Sequence, residues 1–107
     1  MGALIISYDI EDYYMASCYD SQFSRSEWNT LESKLIEGYN IGLEILQKAG
    51  VKGTFFFLGV VAEKHPEILK EAYNQGHEIA SHGYDHRLVS SLSLKEFEED
   101  IKKSTDI

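Results

Sequence analysis

The sequence predicts an α/β fold in which short parallel strands alternate with amphipathic helices. Three candidate strands are apolar runs without strict polar alternation, which is typical of strands buried on both faces. Helical segments separate them in the order strand, helix, strand, helix, strand, helix, and this order implies parallel pairing through crossover connections. At 107 residues the chain suits one domain with a modest core.

The first strand is predicted over Ala3–Tyr8, which is short, mostly apolar and rich in β-branched residues. It ends in a carboxylate cluster at residues 9–12. Residues 13–26 are polar and aromatic without a regular period, so we interpret them as a long loop.

A helix is predicted from about Thr30 to Ala49, because apolar residues recur there at steps of three and four. Asn29 and Glu32 resemble a capping box at its start. Gly50 fits the position just past its end.

The remaining elements follow in the same way. Gly53–Leu58 is predicted as the second strand, residues 59–64 as a short helix and Pro66–Gln75 as a helix with proline in its first turn. His77–Ser81 is the third strand, with the His77 ring expected to pack or accept a backbone hydrogen bond. A capping box that begins at Ser93 opens the last helix.

Three parallel strands would leave two unpaired sheet edges, which is unfavourable for an isolated parallel sheet. We therefore expect residues 1–107 to be the N-terminal part of a larger catalytic domain, truncated after Ile107.

Composition excludes several functions. The net charge is −8 and the sequence contains no basic run, which argues against binding to nucleic acid or to an anionic membrane surface. Cys18 is the only cysteine, so neither an intrachain disulfide nor a cysteine zinc site is expected. No apolar stretch approaches a membrane span or a secretory leader. A soluble chain is expected, and a cytoplasmic or cell-envelope location stays open.

Two clusters of polar side chains follow predicted strands. Asp9, Glu11 and Asp12 come at the end of the first strand, and His82 and His86 follow the third. Because the carboxyl ends of parallel strands meet at one edge of a sheet, we expect the two clusters to converge. Imidazole and carboxylate are the usual ligands of catalytic zinc and related ions, so the pattern predicts a metal site.

Three motifs in this order resemble the polysaccharide deacetylases, the NodB-homology domain of carbohydrate esterase family four. The resemblance extends from Ala3 to about Lys102, and its most specific part is Ser-His-Gly-Tyr-Asp-His. It implies the first part of a distorted (β/α) barrel. The motifs are Ser-Tyr-Asp-Ile-Glu-Asp-Tyr-Tyr at 7–14, Gly-Thr-Phe-Phe-Phe-Leu-Gly at 53–59 and Gly-His-Glu-Ile-Ala-Ser-His-Gly-Tyr-Asp-His at 76–86.

The resemblance also implies roles. It makes Asp9 the general base and His82 and His86 ligands of one divalent metal, Zn²⁺ or another transition ion. In the family the base and the carboxylate ligand are adjacent aspartates. Here the spacing differs, and Asp12 is the preferred third ligand, with Glu11 as the alternative.

The implied reaction is hydrolysis of the N-acetyl group of an amino-sugar polysaccharide. Tyr13 and Tyr84 lie beside the expected site and could stack on sugar rings. A later histidine and arginine that complete the family's site do not occur within residues 1–107, so little activity is expected of this chain alone.

Three alternatives stay open. One is a metal-free hydrolase of the same fold that cleaves another carbon–nitrogen bond. Another is a non-catalytic fragment. The third is a Mg²⁺-binding signalling domain, which would leave the histidine pair without a role.

Overall fold

A computed structural model describes residues 2–107 and confirms the predicted α/β class. Three strands form one sheet in the order β1 (Ser7–Ile10), β2 (Thr54–Phe57) and β3 (Glu78–Ser81). Both pairings are parallel, with Asp9 beside Phe56 and Phe56 beside Ala80. All three carboxyl ends therefore lie at one edge of the sheet.

Helices connect the strands. Helix α1 (Leu35–Ala49) joins β1 to β2, and α2 (Gly59–Lys64) with α3 (Pro66–Asn74) joins β2 to β3. Helix α4 (Leu94–Thr105) follows β3 and begins with the predicted capping box at Ser93. None of these helices is both long and apolar enough to cross a membrane. Short 3₁₀ helices cover residues 13–15, 17–19, 25–30 and 89–91.

The first strand differs from its prediction. β1 begins at Ser7, whereas Leu4 and Ile5 are 87% and 84% exposed. The strand runs on to Ile10, so Asp9 lies within the ladder rather than after it. Apolar character alone misplaced the strand, because the parallel partner β2 begins opposite Ser7.

Helix α1 begins five residues later than predicted, at Leu35. Residues 25–30 form a 3₁₀ helix, and residues 31–34, where the first helical turn was predicted, are not helical. The Asp12 carboxylate accepts hydrogen bonds from the Lys34 amide, at 3.0 Å, and from the Ser33 hydroxyl. Asp12 is distant in sequence, yet its carboxylate accepts hydrogen bonds from donors at the start of α1. A negative charge at this end of a helix also interacts favourably with the helix dipole.

The core lies between the sheet and its helices. Phe55 and Phe57 of β2 point into it together with Ile10 and the Tyr39 ring. The prediction of strands buried on both faces is therefore wrong for β1, whose Asp9 is exposed on the opposite face. Phe56 and Ala80, the neighbours of Asp9 across the sheet, are half-buried.

Two glycines of α1 face Tyr8, whose hydroxyl donates to the Gly38 carbonyl at 2.7 Å. A Cβ on Gly42 would lie 2.4 Å from Tyr8 Cε1, whereas one on Gly38 would lie 3.8 Å from the Tyr8 hydroxyl. Helix α1 can therefore pack closely against β1 only if residue 42 lacks a side chain.

We expect Gly42→Ala to lower the free energy of unfolding by about 1–3 kcal/mol, because the Tyr8 ring must leave its place in a packed site. Gly38→Ala is the matched control and should be neutral or stabilising by up to about 1 kcal/mol, since alanine favours a helix over glycine. Urea denaturation measures both. Equal effects of the two substitutions would contradict this account.

The buried side chain of His77 stacks on Phe55, with ring centroids 4.4 Å apart, and its Nδ1 accepts a hydrogen bond from the Gly53 amide at 3.1 Å. The predicted packing role is confirmed. Burial, assisted by the charge of Lys52, lowers the pKa of His77 from its ordinary value of 6.5. The folded chain therefore favours the neutral imidazole over the charged form.

Below about pH 6.5 the unfolded chain binds a proton at His77 that the folded chain resists, so stability falls as the pH falls through this range. The slope from one such group is at most about 1.4 kcal/mol per pH unit. His77→Gln can still accept from Gly53 but does not titrate, and should lose this share of the acid dependence. Urea unfolding at pH 7.5 and 5.5 tests this. Identical losses in the two proteins would contradict it.

Candidate metal centre

One carboxylate and two imidazoles converge beyond the carboxyl ends of β1 and β3. Glu11 Oε2 lies 3.3 Å from His86 Nε2 and 3.7 Å from His82 Nδ1. The ring centroids of the two histidines are 4.9 Å apart, and the ring planes are nearly perpendicular. One potential ligand atom from each residue lies within 4.8 Å of the others, which suits coordination of a single ion.

The histidine loop, residues 82–86, is fixed to the neighbouring elements. The His82 amide donates to the Phe57 carbonyl at 2.9 Å and so continues the β2–β3 ladder by one bond. The first amides of α2 donate to the loop as well, Gly59 to the Gly83 carbonyl and Val60 to the Tyr84 carbonyl, both at 2.9 Å. These bonds require close approach, because a Cβ on Gly59 would lie 2.6 Å from Tyr84 Cδ2.

The end of the histidine loop has an unusual backbone. His86 has φ of 63° although it is not glycine, a conformation that persists only where the surroundings enforce it. The residue before it, Asp85, lies between two arginines. Arg25 Nε donates to the Asp85 carbonyl at 3.0 Å, and Arg87 Nε lies 3.0 Å from the Asp85 carboxylate.

The polar atoms of the cluster fit a cation. Glu11 Oε2 and His82 Nδ1, which are 3.7 Å apart, are buried and have no hydrogen-bond partner within residues 2–107. The buried atom of His86 without such a partner is Nδ1, whereas Nε2 is the nitrogen that faces Glu11. Leaving buried polar atoms unpaired is costly, and such groups call for an explanation such as an ion. A divalent metal would satisfy the carboxylate and neutral imidazoles together, so the residues present fit the group that the sequence predicts.

The structure brings Glu11, the alternative ligand of the sequence analysis, to the histidines in place of Asp12. Asp12 is 3% exposed, and both of its carboxylate oxygens accept hydrogen bonds from residues 33 and 34. It also caps the 3₁₀ helix at residues 13–15. The preference for Asp12 is corrected on this geometry, because its side chain is committed to the start of α1.

Asp9 and Tyr13 lie beside the cluster. They line a cleft of about 340 Å³ together with Glu11, while His82 and His86 line a second cleft of about 400 Å³. The candidate centre thus lies where the two clefts approach each other. Asp9 is exposed at the sheet surface and Tyr13 is 48% exposed, so both are accessible to a bound molecule.

Tyr84 is half-buried and packs between neighbouring elements, and the sugar-stacking role considered for it stays a prediction. Its hydroxyl donates to Glu63 at 2.8 Å, and Lys103 Nζ lies 3.7 Å from the centre of its ring. Burial, with the hydrogen bond to Glu63 as the next cause, raises the pKa of Tyr84. The ring joins the histidine loop to α2 and α4.

Two residues that hold this loop were missed by the sequence analysis. Arg25 lies in the stretch interpreted as a loop, where no pattern distinguishes it. Asp100 lies on α4, is 8% exposed and accepts the Tyr84 amide at 3.2 Å. Its position on the same helical side as Phe97 and Ile101 was the only available signal.

The fold and the site define a class: α/β proteins with a metal-type cluster of carboxylate and imidazoles at the carboxyl ends of parallel strands. Within that class, the chain belongs to the polysaccharide deacetylase family, whose family model matches residues 30–107. The members of this family are hydrolases that act on carbon–nitrogen bonds.

Curated relatives agree. A peptidoglycan-N-acetylglucosamine deacetylase of Bacillus cereus is 40% identical over 65 residues, which is 61% of this chain and 24% of the relative. A chitooligosaccharide deacetylase of Sinorhizobium fredii is 30% identical over 59 residues, which is 55% of this chain and 27% of the relative. The chain thus spans about a quarter of the length of these relatives.

Solved structures support the fold. The peptidoglycan deacetylase PdaC from Bacillus subtilis superposes with a TM-score of 0.67 at 24% identity, over 95% of this chain and 40% of the PdaC chain. The predicted architecture, the first part of a (β/α) barrel of the polysaccharide deacetylase type, is confirmed.

Proposed function

We propose that this chain carries the metal-binding residues and the general base of a deacetylase that hydrolyses the N-acetyl group of an amino-sugar polysaccharide. The observation that carries the proposal is the convergence of Glu11, His82 and His86 on one point, with buried atoms that lack other partners. The family membership supplies the reaction class, hydrolysis of a carbon–nitrogen bond.

Glu11, His82 and His86 would hold the metal, and Zn²⁺ is the ion that one oxygen and two imidazole nitrogens suit best among common divalent ions. When bound, such an ion polarises the acetamide carbonyl and lowers the pKa of a water molecule beside it. All three side chains are half-buried in the loops beyond β1 and β3, and their ligand atoms lie close to one another.

Asp9 would act as the general base. It lies two residues before Glu11 and lines the same cleft, and its exposed carboxylate can reach a water molecule there. As this water attacks the acetyl carbon, Asp9 would take its proton. The carbon–nitrogen bond then breaks as a proton is delivered to the leaving nitrogen, and acetate and a free amine are formed. Glu11 would thus bind the metal, and Asp9 would transfer the proton.

The substrate would be an N-acetylated glycan. The relatives include enzymes named for peptidoglycan and for chitooligosaccharide, and both names denote polymers or oligomers of N-acetylated amino sugars. The exposed ring of Tyr13 at the cleft offers a flat surface against which a sugar could pack.

Two measurements test the proposal. Isothermal titration of the metal-free chain with Zn²⁺ should show one ion per chain. The natural polypeptide that contains this chain should release acetate from chitooligosaccharide or peptidoglycan and lose this activity with a chelator. Acetate release that survives complete removal of metal would instead favour a metal-free hydrolase, and metal binding without acetate release would favour a non-catalytic relative.

A further inference from the structure

The ligands of the candidate metal centre lie beyond the strands that carry them. β1 ends at Ile10, one residue before Glu11, and β3 ends at Ser81, one residue before His82. The hydrogen bonds of the sheet therefore fix the start of both segments. They do not fix the position of His86, which is four residues after His82. Some other contact must hold the end of the histidine loop toward Glu11.

Arg25 makes that contact. Its Nε donates to the Asp85 carbonyl at 3.0 Å and lies 3.5 Å from the Asp85 carboxylate. Arg25 lies on the 3₁₀ helix of residues 25–30, which is anchored in the core by the buried side chain of Trp28. Tyr14 packs near Trp28, with ring centroids 6.0 Å apart, and follows Glu11 closely in the chain. Arg25 thus connects the chain segment that carries Glu11 to the loop that carries His86.

The bonded carbonyl is the one that matters most for the His86 ring. It belongs to the peptide group between Asp85 and His86, so its orientation is coupled to the φ angle of His86, which is 63°. Non-glycine residues are uncommon in this region, although histidine enters it more often than most, so neighbouring contacts help to maintain it. If the Asp85 carbonyl lost its partner, the φ angle of His86 could change without a compensating change at Asp85. The direction of the chain at His86, and with it the position of the ring relative to Glu11, would then change.

We propose that Arg25 is a positioning residue of the metal centre, which holds the His86 imidazole against Glu11 through its hydrogen bond to the Asp85 carbonyl. This inference rests on the proposed metal-binding function of the same site. Partners that orient metal ligands typically change metal affinity by about 10–100-fold when they are removed. Arg25→Met, which has a side chain of similar length but no hydrogen-bond donor, should therefore raise the Kd for Zn²⁺ by about 10–100-fold.

Two control variants distinguish the effect of the Arg25 hydrogen bond to the Asp85 carbonyl from the effect of losing a charge beside the loop. Arg87→Gln and Asp85→Asn each remove a charge beside the loop but leave the Arg25 bond to the carbonyl available, and each should change the Kd by less than about threefold. Arg25→Lys keeps a charge and an ammonium donor, so its Kd should lie between those of the wild type and Arg25→Met. Full affinity in Arg25→Met, or losses in Arg87→Gln and Asp85→Asn as large as the loss in Arg25→Met, would overturn the proposal.

Two further readouts distinguish positioning from loss of fold and from failure of the proposed function. Thermal unfolding of the metal-free variants identifies any that no longer fold, and Arg25→Lys then replaces Arg25→Met. The ¹H–¹⁵N NMR signals of the histidine rings need no metal. In metal-free Arg25→Met the His86 signals should shift while those of the distant His65 stay unchanged. Unmoved His86 signals would refute the inference whether or not the wild-type chain binds an ion.

Discussion

Glu11→Gln should raise the Kd of this chain for Zn²⁺ by at least about 100-fold, because outer partners of metal ligands alone account for about 10–100-fold. The substitution keeps the size of the side chain but removes the charge at the oxygen nearest both histidines, 3.3 Å from His86 Nε2 and 3.7 Å from His82 Nδ1. The visible absorption spectrum of the same variant with Co²⁺ should lose the intensity that is typical of four-coordinate Co²⁺.

Asp12→Asn is the matched control, since it neutralises the neighbouring carboxylate by the same chemical change. Its Kd for Zn²⁺ should stay within about threefold of the wild type, well below the loss expected even of an outer partner. Its free energy of unfolding should fall by about 1–3 kcal/mol, because an amide cannot accept from both the Lys34 amide and the Ser33 hydroxyl. Loss of metal affinity in Asp12→Asn with none in Glu11→Gln would restore Asp12 as the ligand.

The surroundings of Asp12 indicate that its substitution affects the free energy of unfolding rather than the metal affinity. The adjacent Tyr14 is 2% exposed, and burial, followed by the charge of Asp12, raises the pKa of Tyr14 to about 12. The Asp12 carboxylate is thus enclosed by the core and by the start of α1, and the effects of its loss should appear as stability.

Asp9→Asn should lower kcat for acetate release by about 10²–10⁴-fold in the natural polypeptide that contains this chain, the range attributed to a positioned general base. Its Kd for Zn²⁺ should change little, because the Asp9 side chain is not part of the cluster formed by Glu11, His82 and His86. This separation of turnover from metal affinity distinguishes a base from a ligand.

The matching control for Asp9 is Asp106→Asn, which removes an exposed carboxylate at the far end of α4. It should leave both kcat and the Kd for Zn²⁺ unchanged. If Asp9→Asn retained wild-type turnover, or if it lost turnover only in proportion to lost metal, Asp9 would not be the base.

The two histidines were predictable because their ligand chemistry, their spacing and their place after a strand all appear in one continuous stretch of sequence. The alternation of strands and helices was predictable for the same reason, since β2, α3 and α4 carry their own apolar patterns and start signals. The capping box at Ser93 is present as expected. Local information was sufficient for these features.

The carboxylate that lies beside the histidines was not predictable in this way. Glu11 and Asp12 are adjacent and chemically similar, and what separates them is the start of α1, which engages Asp12 through residues 33 and 34. Helix α1 begins at Leu35 rather than Thr30, directly after the residues that Asp12 contacts. These contacts span 21 and 22 residues, and Arg25 escaped notice because its partner Asp85 lies 60 residues away in the sequence.

The distribution of the ligands along the chain also bears on how the molecule is assembled. Glu11 comes from the first strand's exit and the histidines from the third, and β2 lies between these strands. In a zinc finger, by contrast, a short segment gathers its own ligands and metal drives folding. Here the three ligands would come together only after β2 has been inserted between β1 and β3. Metal binding would therefore depend on a completed sheet and would not nucleate its folding.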